Sequence, residues 1–107
     1  MSGPRSSLAP LFAALGDKTR LKLVARLSGG TRMSIAQLTS GSDVTRQAIT
    51  KHLHVLADAG LVHGTRRGRR RVFEIELRRL RQARRYLELI SRQWDAALAR
   101  LKRTIED

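Results

Sequence analysis

The chain of 107 residues has no cysteine, two prolines and few aromatic side chains, which make up 4% of the sequence. The absence of cysteine excludes disulfides, thiolate metal ligands and cysteine nucleophiles. No apolar run approaches the roughly 18 residues that would span a bilayer. The run LAPLFAAL at 8–15 is brief, contains Pro10 and leads into another helical pattern without a convincing cleavage region. We therefore expect a cytoplasmic protein rather than a secreted or membrane-bound one.

Acidic side chains are also scarce: 9 Asp and Glu stand against 22 Lys and Arg, which gives a net charge of +13. Most of the cations are arginine, whose planar guanidinium suits phosphate and guanine better than a point charge does. The acids are scattered, and none has a recognisable catalytic spacing to one of the three histidines. No glycine-rich phosphate loop follows a strand. The sequence therefore predicts neither an enzyme nor a cofactor.

The sequence predicts one domain over 8–107, preceded by a flexible polar arm at 1–7. Four helices are expected in the first half of this domain. The first covers residues 8–15, and the second is capped by Asp17 and ends at Gly29 and Gly30. The third starts at Ser34 and ends before Gly41, and the fourth starts at Thr45 and ends at Gly60. In the second helix, the predicted apolar face consists of Leu21, Val24, Ala25 and Leu27.

After Gly60 the pattern changes to two short runs with β-branched and aromatic residues, joined by a turn at Gly68. These runs predict a two-stranded hairpin. From Leu77 onward the chain contains neither glycine nor proline, which predicts a long helix over 77–105. The fold class is therefore mainly α with a small β-hairpin, in the order α-α-α-α-β-β-α. A short helix, a tight turn, a second helix and a basic hairpin make a winged helix-turn-helix.

The last helix carries apolar or small residues at alternating steps of three and four, a heptad seam of about 25 residues. So long a seam on a small chain indicates contact with a second copy of the chain, so we expect a homodimer. The seam consists of Leu80, Ala83, Leu87, Ile90, Trp94, Ala97, Leu101 and Thr104.

In helix-turn-helix proteins the N-terminal part of the second helix meets base edges in the major groove. In the fourth helix, Ile49, Leu53 and Leu56 form an apolar stripe, and several polar side chains project away from it. Arginine and lysine suit guanine, and glutamine suits adenine. A solvated face of a structural helix is the alternative. The predicted base-reading residues are Thr45, Arg46, Gln47, Thr50, Lys51 and His54.

The predicted hairpin turn contains RRGRRR at 66–71, five arginines in six positions. Contact with phosphates, or insertion into a minor groove, is the natural use of such a turn. A solubilising turn is the alternative, but a solubilising surface normally mixes both signs of charge. The predicted wing contacts are Arg66, Arg67, Arg69, Arg70 and Arg71.

Three segments together resemble the arsenic-repressor-like (ArsR/SmtB) family of winged helix-turn-helix regulators across nearly the whole chain. They are LGDKTRLKLVARL, MSIAQLTSGSDVTRQAITKHLHVLADAGLV and RRGRRRVFEI. The resemblance implies a homodimeric transcriptional repressor that reads a near-palindromic operator in double-stranded DNA. It also implies a dimer interface formed by the first and last helices, which adds Leu11 and Phe12 to the seam residues.

The sequence departs from the metal-sensing members of that family. Ser34 and Ala36 stand where those members commonly carry a Cys-x-Cys pair, and the last helix has no histidine. His52 and His54 lie two apart on a helix and point in different directions. We therefore expect no metal site, and expect His52 to be a partly buried packing residue beside Leu53 and Leu56. Whether the protein responds to an inducer stays open.

Three other functions remain possible at this point. A non-specific nucleic-acid-binding or chromosome-associated protein would also use the charge of +13. An adaptor would use the last helix as a zipper for a different partner. A basic amphipathic helix at 78–90 would bind anionic membranes, although the heptad seam and DNA already account for its apolar and charged residues.

Overall fold

The structure, a computed structural model, describes residues 4–106, with side chains from Leu8 onward. Five helices and three short strands follow one another along this part of the chain. They are α1 Pro4–Leu15, α2 Lys18–Leu27, β1 Met33–Ser34, α3 Ile35–Thr39, α4 Arg46–Asp58, β2 Val62–Arg67, β3 Arg70–Ile75 and α5 Leu77–Glu106. The mainly helical fold with a basic hairpin agrees with the prediction.

Three helices begin at the predicted capping residues. The Asp17 side chain accepts a hydrogen bond from the backbone N–H of Arg20, and the Thr45 side chain accepts one from Ala48. Ser34 forms a capping box with Gln37, in which each side chain accepts from the other residue's backbone N–H. Each cap satisfies donors that the first helical turn leaves without an intrahelical partner.

The first helix is longer than predicted. It begins at Pro4 instead of Leu8, so residues 4–7, predicted as part of a flexible arm, are helical. Residues 1–3 of that predicted arm lie outside the described residues. Proline is favoured at the first helical position because its fixed φ suits a helix. The backbone N–H that proline lacks would have no hydrogen-bond partner within the helix at that position. Pro4 is therefore the residue whose type explains a helix start four positions before the predicted Leu8.

The sheet has one more strand than predicted. β3 lies in the centre, with β2 on one side and the two-residue β1 on the other, both antiparallel to it. Met33 pairs with Phe73, and Ser34 with Val72. A two-residue strand is too short to produce the alternation by which strands are recognised in a sequence. It attaches the start of α3 to the base of the hairpin.

The hydrophobic core lies between the helices and the inner face of the sheet. In α2 the buried residues are Leu23, Val24 and Leu27, whereas Leu21 and Ala25, predicted on the buried face, are exposed. Positions 21 and 23 are two residues apart and lie on nearly opposite sides of a helix. The other fully buried large side chains are Leu11, Leu38, Ile49, Leu53, Leu56, Leu61 and Phe73.

Candidate nucleic-acid interface

The outward face of α4 presents three polar side chains in one row. Gln47, Lys51 and His54 are exposed, and their spacing of four and three residues places them on one side of the helix. Ile49, Leu53 and Leu56 on the other side are at most 1% exposed. The row forms no hydrogen bond or ion pair within the described part of the chain. The buried stripe therefore fixes which way the predicted base-reading side chains face.

The three other predicted base-reading residues flank that row, and two of them use their hydroxyls locally. Thr45 Oγ1 accepts from the Ala48 N–H at 3.1 Å, and Thr50 Oγ1 donates to the Arg46 carbonyl at 2.9 Å. Arg46 is exposed. The Thr45 hydroxyl keeps its proton to donate, and Thr50 keeps its methyl group and acceptor capacity.

The tip of the hairpin carries three arginines without a partner among the described residues: Arg66, Arg67 and Arg69, all exposed. Arg67 and Arg70 are paired across the hairpin, so the loop consists of Gly68 and Arg69 alone. Gly68 has φ 63°, the left-handed conformation that so tight a hairpin turn needs. The turn thus concentrates unneutralised positive charge at the tip of the hairpin.

The two remaining wing arginines are held against the body of the protein. Arg70 Nη2 donates to Ser34 Oγ at 2.9 Å, which joins the hairpin to the residue that caps α3. The guanidinium carbon of Arg71 lies 5.4 Å from the centre of the Phe73 ring, a cation–π contact. Both side chains therefore orient the hairpin, a role that sequence reasoning did not assign to them.

Gly64 makes the Arg71 contact possible. It pairs with Phe73 across the hairpin, on the inner face of the sheet. A Cβ at Gly64 would lie 2.9 Å from Cε1 of Phe73 and 3.0 Å from Nε of Arg71. Only glycine leaves room for both groups, so this position sets the packing at the base of the hairpin.

Helix α4 is tied to α2 by a polar cluster of Asp17, Arg20 and His52. The Arg20 guanidinium donates to the Ala14 carbonyl and, through Nη1, lies 3.2 Å from His52 Nδ1. The Arg20 backbone N–H bonds Asp17 at 3.0 Å and is the main reason that the pKa of this carboxyl is lowered. His52 is partly buried, as predicted, but its ring nitrogen contacts Arg20, a contact that the sequence analysis did not foresee.

The outer face of the hairpin carries a second polar cluster. His63 Nε2 lies 2.8 Å from Glu74 Oε1, and Arg32 Nε donates to Glu74 Oε2 at 3.2 Å. The bond with His63, followed by that with Arg32, holds the pKa of Glu74 below its usual value. Nδ1 of His63 lies 3.2 Å from Glu76 Oε2 without hydrogen-bond geometry. This cluster joins the segment before β1 to the hairpin.

Residues 15–65, from the end of α1 into β2, match a helix-turn-helix domain family. Over 68 residues the chain is 44% identical to YuzN, an uncharacterised HTH-type transcriptional regulator of Bacillus subtilis (strain 168), covering 58% of this chain and 74% of that protein. An ArsR-like transcriptional regulator from Rhodococcus sp. RHA1 superposes with a TM-score of 0.80 at 37% identity, over 95% of each chain. The chain belongs to the ArsR-like transcriptional regulators.

A further relative extends this result to another genus. Over 65 residues the chain is 37% identical to the HTH-type transcriptional regulator Rv2034 of Mycobacterium tuberculosis (strain ATCC 25618 / H37Rv), covering 61% of this chain and 60% of that protein. Both relatives are HTH-type transcriptional regulators, in agreement with the function class that the sequence predicts.

The last helix of this ArsR-like chain leaves much of its predicted seam exposed. Leu87 is 53% exposed, Trp94 65% and Leu101 56%, while Leu80 and Ile90 are partly buried. Phe12 of α1 packs on Tyr86 of α5, with ring centres 6.1 Å apart. A groove of about 470 Å³ runs between these helices, lined by Phe12, Leu15, Leu80, Ala83, Arg84, Leu87, Glu88 and Ser91.

Leu11, also predicted at the dimer interface, has no exposed surface. It belongs to the hydrophobic core of the chain, so it has no surface to contribute to a partner. Phe12, the next residue along α1, borders the groove instead.

Over residues 4–106, no group of three or more histidine, aspartate or glutamate side chains is arranged to hold a metal ion. Within the same range, no helix is long and apolar enough to cross a membrane.

Proposed function

We propose that this ArsR-like regulator is a sequence-specific repressor that binds double-stranded DNA as a homodimer in the cytoplasm. The observation that carries the proposal is the row of Gln47, Lys51 and His54, exposed and unpaired on α4 opposite its buried stripe. These side chains are donors and acceptors of the kind that distinguish base pairs in the major groove. With α4 in that groove, they face the bases.

The wing supplies contacts that do not depend on sequence. Arg66, Arg67 and Arg69 are exposed at the hairpin tip, and their guanidinium groups suit phosphate oxygens or a narrow minor groove. Arg70 and Arg71 hold the hairpin in place through their contacts with Ser34 and Phe73. Affinity then comes largely from the wing and preference among sequences from α4.

Dimerisation through α5 and α1 would pair two recognition helices and make the operator near-palindromic. The exposed seam residues Leu87, Trp94 and Leu101 support this assembly, because exposed apolar side chains in a row mark a contact surface. The resemblance to ArsR-like repressors supports the same arrangement. Bound across a promoter, such a dimer blocks transcription by occupying it.

Selection of binding sites from a pool of random duplexes tests the proposal. We expect an enriched inverted repeat whose half-sites are about one helical turn apart, or a multiple of that, as a two-fold dimer requires. A pool without enrichment, bound with equal affinity throughout, would contradict sequence-specific reading. It would favour the alternative that the charge of +13 supports, a non-specific nucleic-acid-binding protein.

A further inference from the structure

A cleft of about 290 Å³ opens between α2 and the turn that leads into α4. The turn occupies residues 41–44 and ends at Thr45, the cap of α4. The cleft therefore adjoins the end of α4 that carries the base-reading side chains. It is lined by Lys18, Thr19, Lys22, Leu23, Arg26, Leu38, Gly41, Ser42, Asp43, Val44 and Ile49.

One wall of the cleft is a row of cations on α2. Lys18, Lys22 and Arg26 follow one another at intervals of four residues, so they share one face of the helix. Arg26 is engaged, because its guanidinium donates to the Leu38 carbonyl at 2.8 Å and to the Gln37 carbonyl at 3.1 Å. These two bonds attach α2 to the end of α3.

Lys18 and Lys22 are different, because both are exposed and neither forms a hydrogen bond or ion pair with any described residue. Like charges four residues apart on a helix repel each other. Across the cleft the one acidic side chain is Asp43, which is exposed and forms no ion pair within residues 4–106. The cleft is thus short of negative charge, and an anion placed between the lysines would relieve their repulsion.

The other lining groups suit a nucleic-acid backbone in particular. Thr19 and Ser42 carry hydroxyls, which commonly bond phosphate oxygens. The partly buried Val44 offers apolar surface to the carbons of a deoxyribose. None of the wing residues 66–71 lines the cleft, so its charge is separate from that of the hairpin tip.

The position of α2 relative to α4 is also fixed. Arg20, on the turn of α2 between Lys18 and Lys22, contacts His52 of α4. Lys18 and Lys22 therefore keep a fixed position relative to α4. From this position they can contact the DNA backbone next to the bases that α4 faces.

We propose that Lys18 and Lys22 bind phosphate groups of the DNA backbone next to the bases read by α4, as a second backbone contact independent of the wing. The inference rests on the proposed function, since it assigns a further surface to the same complex. It makes α2 part of the DNA-binding surface.

The test is the salt dependence of binding, measured by fluorescence anisotropy on the full chain with a site selected from random duplexes. Each phosphate that a lysine neutralises contributes about 0.9 to the log–log slope, so Lys18→Gln with Lys22→Gln should make a dimer's slope shallower by about 3.6. The preference for the selected site over a scrambled duplex should stay within about twofold of wild type, since backbone contacts carry no sequence information.

Two matched variants isolate the effect. Arg92→Gln with Arg103→Gln removes the same charge from exposed positions on the C-terminal half of α5, and should leave the slope near that of wild type. Lys18→Arg with Lys22→Arg keeps the charge and should retain the wild-type slope. Circular dichroism checks that all variants remain folded, which is expected because both lysines are exposed and unpaired.

If the glutamine variant on α2 has the same slope as the control on α5, the inference is wrong while the proposed function stands. The inference is also overturned if the arginine variant loses as much slope as the glutamine variant, because the loss would then not come from charge. If wild-type protein selects and binds no duplex, the proposed function itself fails, and the inference fails with it.

Discussion

Arg70 in the hairpin donates a hydrogen bond of 2.9 Å to the hydroxyl of Ser34, the residue that caps α3. The Ser34 hydroxyl also accepts from the Gln37 N–H at 3.1 Å, and Ser34 is only 4% exposed. One hydroxyl therefore connects the wing to the first helix of the helix-turn-helix. The wing is thus attached directly to α3, which packs against α4.

Arg70→Ala is therefore expected to destabilise the protein, whereas Arg69→Ala is not. Loss of the bond to Ser34 should cost about 0.5–1.5 kcal/mol, the usual net contribution of a hydrogen bond. Arg69 is exposed in the turn and has no partner within residues 4–106, so it provides a matched control. Thermal unfolding of both variants measures the difference. Equal midpoints for the two variants would show that the Arg70 bond contributes nothing to stability.

Gly64→Val should destabilise the base of the wing. The new Cβ would meet the Phe73 ring and the Arg71 side chain at 2.9 and 3.0 Å, and overpacking of this kind costs about 1–3 kcal/mol. Gly29→Ala is the control, since a Cβ there has nothing within 4 Å. Urea denaturation gives both free energies of unfolding. A Gly64 variant as stable as the Gly29 variant would mean that Phe73 and Arg71 move aside at no cost.

Gln47→Ala should relax the preference for one base pair in each half-site, at a cost of about 1–3 kcal/mol for the preferred base. Binding to a panel of single-base operator variants measures this preference. Gln93→Ala on α5 removes the same side chain from another exposed position and should leave the base preference unchanged. Unaltered specificity in the Gln47 variant would remove this residue from the set of base-reading residues.

Leu87→Glu should convert the proposed homodimer to monomers and weaken operator binding. Leu87 is 53% exposed and lines the groove between α1 and α5, so a charge there would be buried at the proposed contact. Leu21 on α2 is equally exposed, at 52%, but lies off the seam, so Leu21→Glu should remain dimeric. Analytical ultracentrifugation distinguishes the two. An intact dimer in the Leu87 variant would place the interface elsewhere.

The Glu74 cluster predicts a stability that depends on pH. Folding lowers the pKa of Glu74, first through His63 and then through Arg32, below its ordinary value of 4.5. A lowered carboxyl pKa stabilises the fold above the unfolded value, and this gain disappears as the pH falls through the folded pKa. Glu74→Gln should therefore lower the melting temperature at neutral pH, and the difference from wild type should shrink as the pH falls below about 4.5 and vanish once the pH is below the lowered pKa of the folded state.

Asp43→Asn provides the control for that experiment, because Asp43 forms no ion pair within the described residues and its loss should change the melting temperature little at either pH. A Glu74 variant that remains equally destabilised in acid would contradict an ionic origin of the effect.

The helix boundaries were readable from the sequence where a short polar cap precedes an apolar stripe. Ser34 and Thr45 accept the hydrogen bonds that the pattern predicts, and the stripe of Ile49, Leu53 and Leu56 is buried. A local pattern is enough here, because cap and stripe both act within one or two turns. The absence of glycine and proline from Leu77 onward likewise predicts a continuous helix, which the structure shows over Leu77–Glu106.

Contacts between segments that are distant along the chain could not be predicted from the sequence in the same way. The bond from Arg70 to Ser34 spans 36 residues and that from Arg20 to His52 spans 32, and no spacing in a single sequence signals either. The run RRGRRR therefore appeared to be five equivalent cations, although two of them hold the hairpin. The sequence predicts the buried face of α2 incorrectly for a related reason. Several of its residues are apolar, and only packing decides which of them face inward.

The most direct test of the central claim, that α4 reads base edges, is the ratio of affinities for two duplexes of equal length. Fluorescence anisotropy with the purified protein would compare the DNA upstream of its own gene, or a selected site, with a scrambled duplex over a salt series. A roughly 10³-fold or larger preference that persists as salt rises is the predicted result. Equal and steeply salt-dependent binding to a selected site and to its scrambled version would contradict the account, because only backbone contacts would then remain.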